Sequence, residues 1–203
     1  MAPVVVVGTR NQKKLGEIVD ILGDVGIEFS DLSHWPDAPE VIEDGKTFEA
    51  NARKKATELA QALRQWVLAE DSGLVVPALN GRPGVFSARY VGKQGDDAAN
   101  NARLLAELGP LPDDRRNAYY VCSAVLADPQ GVVQGVVEAQ CHGVIVKEYR
   151  GTGGFGYDPL FLIPEYHRTF GELSPRVKHA LSHRARALEQ LRPILRRFFI
   201  SQD

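Results

Sequence analysis

The opening of the chain restricts its fold more than any other segment. Val4–Gly8 is a short apolar run rich in β-branched residues, the pattern of a buried strand. Thr9-Arg10-Asn11 breaks the run, and from Asn11 onward Leu15, Ile18, Val19, Leu22 and Val25 recur at helical spacing until Gly26 supplies a stop. Strand, polar turn and helix are the start of an α/β or mixed layered domain. The alternation continues. Ile27–Leu32 reads as a second strand and Ser33–Gly45 as an acidic, proline-containing loop; Thr47 can then cap a helix bearing Phe48, Ala52, Ala56, Leu59 and Leu63 on one stripe. Trp66–Ala69 is a further buried strand, expected to end in Glu70-Asp71-Ser72-Gly73, with Val75–Leu79 beyond it.

The second half follows the same logic. Asp97–Leu108 is helical by composition. Ala118–Ala127 and Val132–Val146 are long β-rich segments around the turn Asp128-Pro129-Gln130-Gly131, a hairpin expected to form a lobe of its own around residues 118–146. Gly151–Pro164 is glycine-rich and irregular, with a strand at Leu160–Ile163, and the chain from Pro175 is helical, with a kink expected at Pro193. No repeat is visible, and 203 residues suit one domain over 1–203.

Charge narrows the function. Lys+Arg 24 against Asp+Glu 26 gives a net charge of −2, without the basic excess that a nucleic-acid partner demands, so any anion site is local. No apolar run approaches the ~18–20 residues that span a bilayer, and the start lacks a cationic leader, so a soluble cytoplasmic protein with no membrane partner is expected. Cys122 and Cys141 are too few and too far apart for a zinc site or a disulfide framework. His179 and His183 have i,i+4 spacing but no glutamate between them as in a zincin helix.

Chemistry can sit in four places. Thr9-Arg10-Asn11-Gln12-Lys13-Lys14 delivers a polar turn to a helix N-terminus, whose free N–H groups favour phosphate; taken alone it reads first as an ordinary N-capped helix with solvated lysines, and it is not a Walker A loop. Glu43 and Asp71 could hold magnesium together with substrate phosphates, and a divalent cation there would activate a water. Asp71, at a strand's carboxyl end, would be well placed to meet a ligand. Gly151–Gly156 matches a dinucleotide fingerprint by letter, yet Tyr157-Asp158-Pro159 follows and no helix can start there; a loop that sets Phe155 and Tyr157 beside Asp158 remains, fit to cradle a planar ring. A continuous helix from Pro175 would bury Arg184 in an apolar stripe, so Ser182 is expected to cap a new helix, with His183 and Arg184 in its first turn and Lys178 upstream forming a cationic anion site.

In order along the chain, Thr9-x-Asn11-x-x-Lys14 with Glu17, Glu43-Asp44-Gly45-x-Thr47-Phe48 with Asn51-Ala52 and Lys55-Ala56, Asp71-Ser72-Gly73-Leu74, Gly84-x-x-Ser87-Ala88-Arg89-Tyr90, Gly151–Pro159 with Phe161, and Lys178 before Ser182-His183-Arg184 resemble the Ham1-type inosine triphosphate pyrophosphatases, the XTP/dITP diphosphohydrolases. The resemblance runs from end to end. It implies an α/β ITPase-like fold, with a long mixed sheet flanked by helices and two lobes with the nucleotide site in the cleft between them. It also implies a homodimer, Mg²⁺ as cofactor, and cleavage of ITP, dITP or XTP to the monophosphate and pyrophosphate. By the family pattern Asp71 is the proton acceptor and a metal residue, and Glu43 the other metal carboxylate. Thr9, Arg10, Asn11, Gln12, Lys13, Lys14, Lys55, Ser72, Phe155, Gly156, Tyr157, Asp158, Lys178, His183 and Arg184 are carried over as substrate contacts, with Arg184 as the donor that would read O6 of the base. Arg10, Ala50, Pro77 and Arg176-Val177 depart from the pattern. A Maf-like pyrophosphatase for other nucleotides is disfavoured by Phe155–Asp158 and Ser182–Arg184. A non-enzymatic nucleotide-binding regulator is disfavoured by Asp71, Glu43 and Lys14 occurring together.

Overall fold

The computed structural model describes residues 2–200. Its strands are β1 (Val4–Val7), β2 (Glu28–Asp31), β3 (Trp66–Val75), β4 (Asn117–Ala127), β5 (Val133–Ile145), β6 (Phe161–Ile163) and β7 (Arg168–Thr169). Its α-helices are α1 (Gln12–Leu22), α2 (Phe48–Leu63), α3 (Asp97–Leu108), α4 (Pro175–Leu181) and α5 (His183–Phe199). The strands form one mixed seven-stranded sheet in the order β2-β1-β3-β4-β5-β6-β7. β1 pairs in parallel with β2 and β3, whereas β6 is antiparallel to β5 and β7.

The chain divides into two compact units, one built from the chain up to Asp71, Cys122–Ala139 and the chain from Arg184 on, the other from Ser72–Val121 and Gln140–His183. The long hairpin β4–β5 contributes to both units. In the first unit β1 shows why an unbroken valine run suits a central strand. Val5 and Val7 pack with Ile18 and Leu22 of α1 and Leu188, Leu191 and Leu195 of α5. Val6 points the other way, toward Ala52, Ala56, Leu59 and Ala60 of α2. Successive strand residues face opposite sides, so helices cover both faces and every position is apolar. α5 runs on through Pro193, and Phe198 and Phe199 close over Trp66 at 5.1 and 4.9 Å between ring centroids.

The second unit has its own core, where Leu104 and Leu108 of α3 meet Tyr120, Ile145, Phe161 and Phe170. Arg116 lies at its rim, only 1% exposed, and donates to the carbonyls of Ile145, Val146 and Gly109. One guanidinium thus donates to three backbone carbonyls at the ends of β5 and α3.

Two expectations are corrected. β3 does not stop at Ala69 but continues through Glu70, Asp71, Ser72 and Gly73 to Val75. Ser-Gly after two acids reads as a turn, yet the charges of Glu70 and Asp71 find partners on the two faces, which lets polar residues stay in the ladder. α1 ends at Leu22, and a 3-10 turn over Gly23–Val25 precedes Gly26, whose φ of 76° is the expected left-handed stop. The break at Ser182 is as expected: its ψ of 156° ends α4, and α5 begins at His183.

Glu70 is the hub of the first unit's buried charge. Its carboxylate accepts from Arg184 Nε and Nη2, both at 3.1 Å, lies 3.0 Å from Lys14 Nζ, and takes the Cys122 thiol at 3.0 Å. Arg184 also pairs with Glu17 of α1. Burial opposes ionisation of Glu70, but Arg184 and Lys14 prevail and hold it well below the usual 4.5. Glu70→Gln keeps the shape and removes the carboxylate charge opposite buried Arg184 and half-buried Lys14, so it is expected to cost about 3 kcal/mol at neutral pH in denaturant unfolding. A carboxylate with a depressed folded-state pKa stabilises fully above its unfolded value and loses that contribution as pH falls through the folded one. The gap between wild type and Glu70→Gln should therefore narrow as pH drops below 4.5. A gap that stays constant with pH would assign the loss to shape instead.

Candidate active site

Asp71 follows Glu70 on β3 and so faces the opposite side of the sheet, toward α2. Asn51 of α2, fully buried, donates from Nδ2 to Asp71 Oδ2 at 2.9 Å and accepts at Oδ1 the N–H of Gly45 at 2.7 Å. This one amide ties the acidic loop to the strand. Gly45 has to be glycine, because a Cβ there would stand 2.6 Å from Asn51 Oδ1 and 2.9 Å from the Ala50 Cβ. Thr47 starts the helix by accepting from Ala50 N–H at 3.1 Å, and that start places Asn51 and Lys55 one turn apart on the same face.

Two ion pairs lay the acidic loop along α2. Lys55 Nζ is 2.6 Å from Glu43 Oε1, and Lys54 Nζ is 2.8 Å from Asp44 Oδ1. Asp71 is 7% exposed, and burial pushes its carboxyl above the usual value; the Asn51 hydrogen bond and Lys55 pull it back, while Glu43 pushes it further up. The last effect places two carboxylates within electrostatic reach of one another. Both offer hard oxygen donors, and a pair of carboxylates beside substrate phosphates is the set that suits Mg²⁺. The residues present therefore fit the cofactor that the sequence pattern implies.

The first loop is arranged differently from the expected free helix N-terminus. Asn11 Oδ1 itself accepts the N–H groups of Lys13 and Lys14, at 3.0 and 3.3 Å, and Thr9 Oγ1 accepts from Asn11 N–H at 3.1 Å. Gln12 turns its amide to Asp31, Arg10 reaches the Ala38 carbonyl at 3.4 Å, and Lys14 pairs with Glu70. What the loop presents is side chains on a pre-capped helix.

In the second unit the glycine-rich segment is braced from inside. Asp158 Oδ2 accepts the N–H of Phe155 at 2.9 Å and pairs with Lys178 Nζ at 2.7 Å, and Lys178 lies 4.6 Å from the centre of the Phe155 ring. Gly154, with φ of 75°, would drive a Cβ to 2.0 Å from Asp158 Oδ2. Tyr157, also buried, donates its hydroxyl to the Ser87 carbonyl at 2.8 Å, which accounts for the Gly84–Tyr90 motif: Ser87 Oγ in turn accepts Leu74 N–H at 2.8 Å. Ser72 is half-buried on β3, and His183 is buried with its ring stacked on Tyr120, centroids 4.6 Å apart and planes at 9°.

The cations expected around Lys178, His183 and Arg184 carry carboxylate partners that the sequence did not indicate. Arg184 is neutralised by Glu70 and Glu17 within the first unit, and Lys178 by Asp158 within the second. A buried cation demands a local carboxylate, and those partners lie far away in sequence. Sequence reasoning also missed Asn51 as the bridge between loop and strand. The only local signal for it is the one-turn spacing of Asn51 and Lys55 behind a capping threonine, which marks a shared face but not what that face meets.

A model of the Ham1 family matches residues 5–194. A curated dITP/XTP pyrophosphatase of Rhodopirellula baltica is 55% identical over 198 residues, 98% of this chain and 95% of that one. Among solved structures, a HAM1 protein from Coxiella burnetii superposes with a TM-score of 0.87 at 38% identity, covering 96% of this chain and 99% of the other. A nucleoside-triphosphatase, dITP/XTP pyrophosphatase, from Mycobacterium abscessus gives 0.76 at 46% identity, over 93% and 98%. With the sheet, the buried Asp71 and the acidic loop in place, and with matches over nearly the whole chain, this protein belongs to the Ham1 family.

Proposed function

We propose that the chain hydrolyses non-standard purine nucleoside triphosphates, ITP, dITP and XTP, to the monophosphate and pyrophosphate, with Mg²⁺ as cofactor, as a cytoplasmic homodimer. Among the described residues no helix is long and apolar enough to cross a membrane. The observation that carries the reading is Asp71: a buried carboxylate, raised in pKa and oriented by Asn51, facing the loop that bears Glu43. The names of the relatives supply the substrate class.

The residues divide the work by their chemistry. Glu43 and Asp71 would hold the divalent cation, which when bound polarises phosphoryl oxygens and acidifies water. Asp71, more basic than an exposed aspartate, accepts the proton of a water attacking the α-phosphorus; the new bond joins water oxygen to that phosphorus as the α–β bridging bond breaks. Lys14 and Lys55, paired with Glu70 and Glu43 in this structure, exchange those carboxylates for the β,γ-phosphates and carry pyrophosphate as one leaving group. Thr9 to Lys13 and Ser72 line the phosphate end. Phe155, Gly156, Tyr157, Asp158, Lys178 and His183 contact the nucleoside. Arg184, held between Glu70 and Glu17, stays a pure donor, which matches a 6-oxo purine and opposes the 6-amino group of adenine.

Three outcomes test this. Hydrolysis of ITP in ¹⁸O-labelled water should put the label in the monophosphate and release pyrophosphate; orthophosphate with a diphosphate would reject attack at the α-phosphorus. Chelation should stop turnover and Mg²⁺ restore it, with ITP and XTP preferred to ATP in kcat/KM. Asp71→Asn should lower kcat by at least ~10²-fold while the protein stays folded, because the base is lost and little volume changes. Near wild-type turnover at saturating Mg²⁺ would reduce Asp71 to a structural residue.

A further inference from the structure

The segment 155–158 is held residue by residue: Phe155 N–H and Lys178 on Asp158, and the Tyr157 hydroxyl on the Ser87 carbonyl. The Gly156 peptide is held by a different element. Its N–H donates to Asp97 Oδ2 at 2.8 Å, and its carbonyl accepts from Asn101 Nδ2 at 2.9 Å. Asp97 and Asn101 are four residues apart, one turn of α3, so a single helix face grips both polar groups of one residue. Asp96 fixes that face in place, since its side chain caps α3 by accepting from Ala99 N–H at 3.1 Å.

Two further features show that this grip is not simply packing. Gly156 has φ of 61°, and a Cβ built on it would meet no atom within 4 Å, so no side chain presses the loop into shape there. Asn101 is 3% exposed, and its Oδ1 is buried without a hydrogen-bond partner among the described residues. A leucine has the same branched outline and would strand no amide oxygen. Stability alone therefore does not call for asparagine at this position, whereas a donor to the Gly156 carbonyl does.

We infer that Asp97 and Asn101 are positioning residues for substrate recognition: they clamp the Gly156 peptide and thereby set where Phe155 and Tyr157 stand for the purine nucleoside. The inference rests on the reading that residues 155–158 contact the nucleoside. Neither residue touches the reacting phosphates. Their loss therefore weakens binding and leaves the chemical step alone.

The test compares Asp97→Ala, Asp97→Asn and Asn101→Leu in the full chain. With ITP and Mg²⁺, KM should rise about tenfold in Asp97→Ala and Asn101→Leu, the effect of one charge-assisted or buried hydrogen bond, with kcat within about twofold of wild type. Asp97→Asn keeps an oxygen acceptor for the Gly156 N–H and should recover most of the KM. Melting temperatures should hold or, for Asn101→Leu, rise. Amide hydrogen exchange across residues 151–158 should quicken in Asp97→Ala and Asn101→Leu and return toward wild type in Asp97→Asn. An unchanged KM overturns the inference, and so does a fall of kcat together with melting temperature that Asp97→Asn fails to rescue. If the wild type releases no pyrophosphate from any purine triphosphate, the substrate reading fails by itself. The exchange measurement then decides the clamp, which falls if exchange in Asp97→Ala matches wild type.

Discussion

Two acids in succession on a buried strand are the constraint around which the first unit is organised. Strand geometry sends their side chains to opposite faces of the sheet, so Glu70 and Asp71 take different hydrogen-bond partners. Each must be satisfied by its own set of elements. On one face Glu70 gathers Lys14 from α1, Arg184 from α5 and Cys122 from β4. On the other Asp71 takes Asn51 from α2. The first arrangement is a neutralised ion-pair network that fixes helices to sheet. The second leaves a carboxylate desolvated enough to be raised in pKa and oriented by a neutral amide, which is the condition of a base. Adjacent residues thus end in opposite electrostatic states, one carboxyl held well below its usual value and the other raised.

The acidic loop shows how little regular structure such a site needs. Between Trp35 and Thr47 no helix or strand forms, yet Gly45 is tied to Asn51, Asp44 to Lys54 and Glu43 to Lys55. The loop is laid against α2 by polar contacts at successive residues. Two of those contacts are lysine–carboxylate pairs and the third is a neutral amide on a backbone N–H. In the second unit the glycine-rich loop is held both by its own Asp158 and by Asp97 and Asn101 of α3.

Much of the fold was legible because hydrophobic period survives in the sequence wherever a face is buried. The valine run of β1, the stripe of α2 and the hairpin signal around Asp128 all correspond to elements of the structure. The break at Ser182 could be inferred from the cost of burying Arg184 in an apolar stripe, but the carboxylates that allow its burial, Glu17 and Glu70, could not. They are contributed by α1 and β3, and no local pattern connects them to α5. The course of β3 through Asp71 was hidden for the same reason: a polar tetrapeptide looks like a turn until its partners on both faces are known. At the candidate site, residue types were legible from the family pattern. Which amide bridges to which carboxylate, and that Asn11 caps its own helix, are facts of three-dimensional contact.

The opposed faces of Glu70 and Asp71 also set where the chain can change in length. One residue inserted or deleted between Trp66 and Glu70 would exchange the two faces, aiming Glu70 at α2 and Asp71 at α1 and α5. Both partner sets would be lost in one step, and no compensating substitution on a single helix could restore them. The turn at Asp128–Gly131 carries no such coupling; its contacts are to its own strands and to Gln61 at the surface. Variation in chain length among proteins of this architecture should therefore accumulate at that turn and be excluded from the strand.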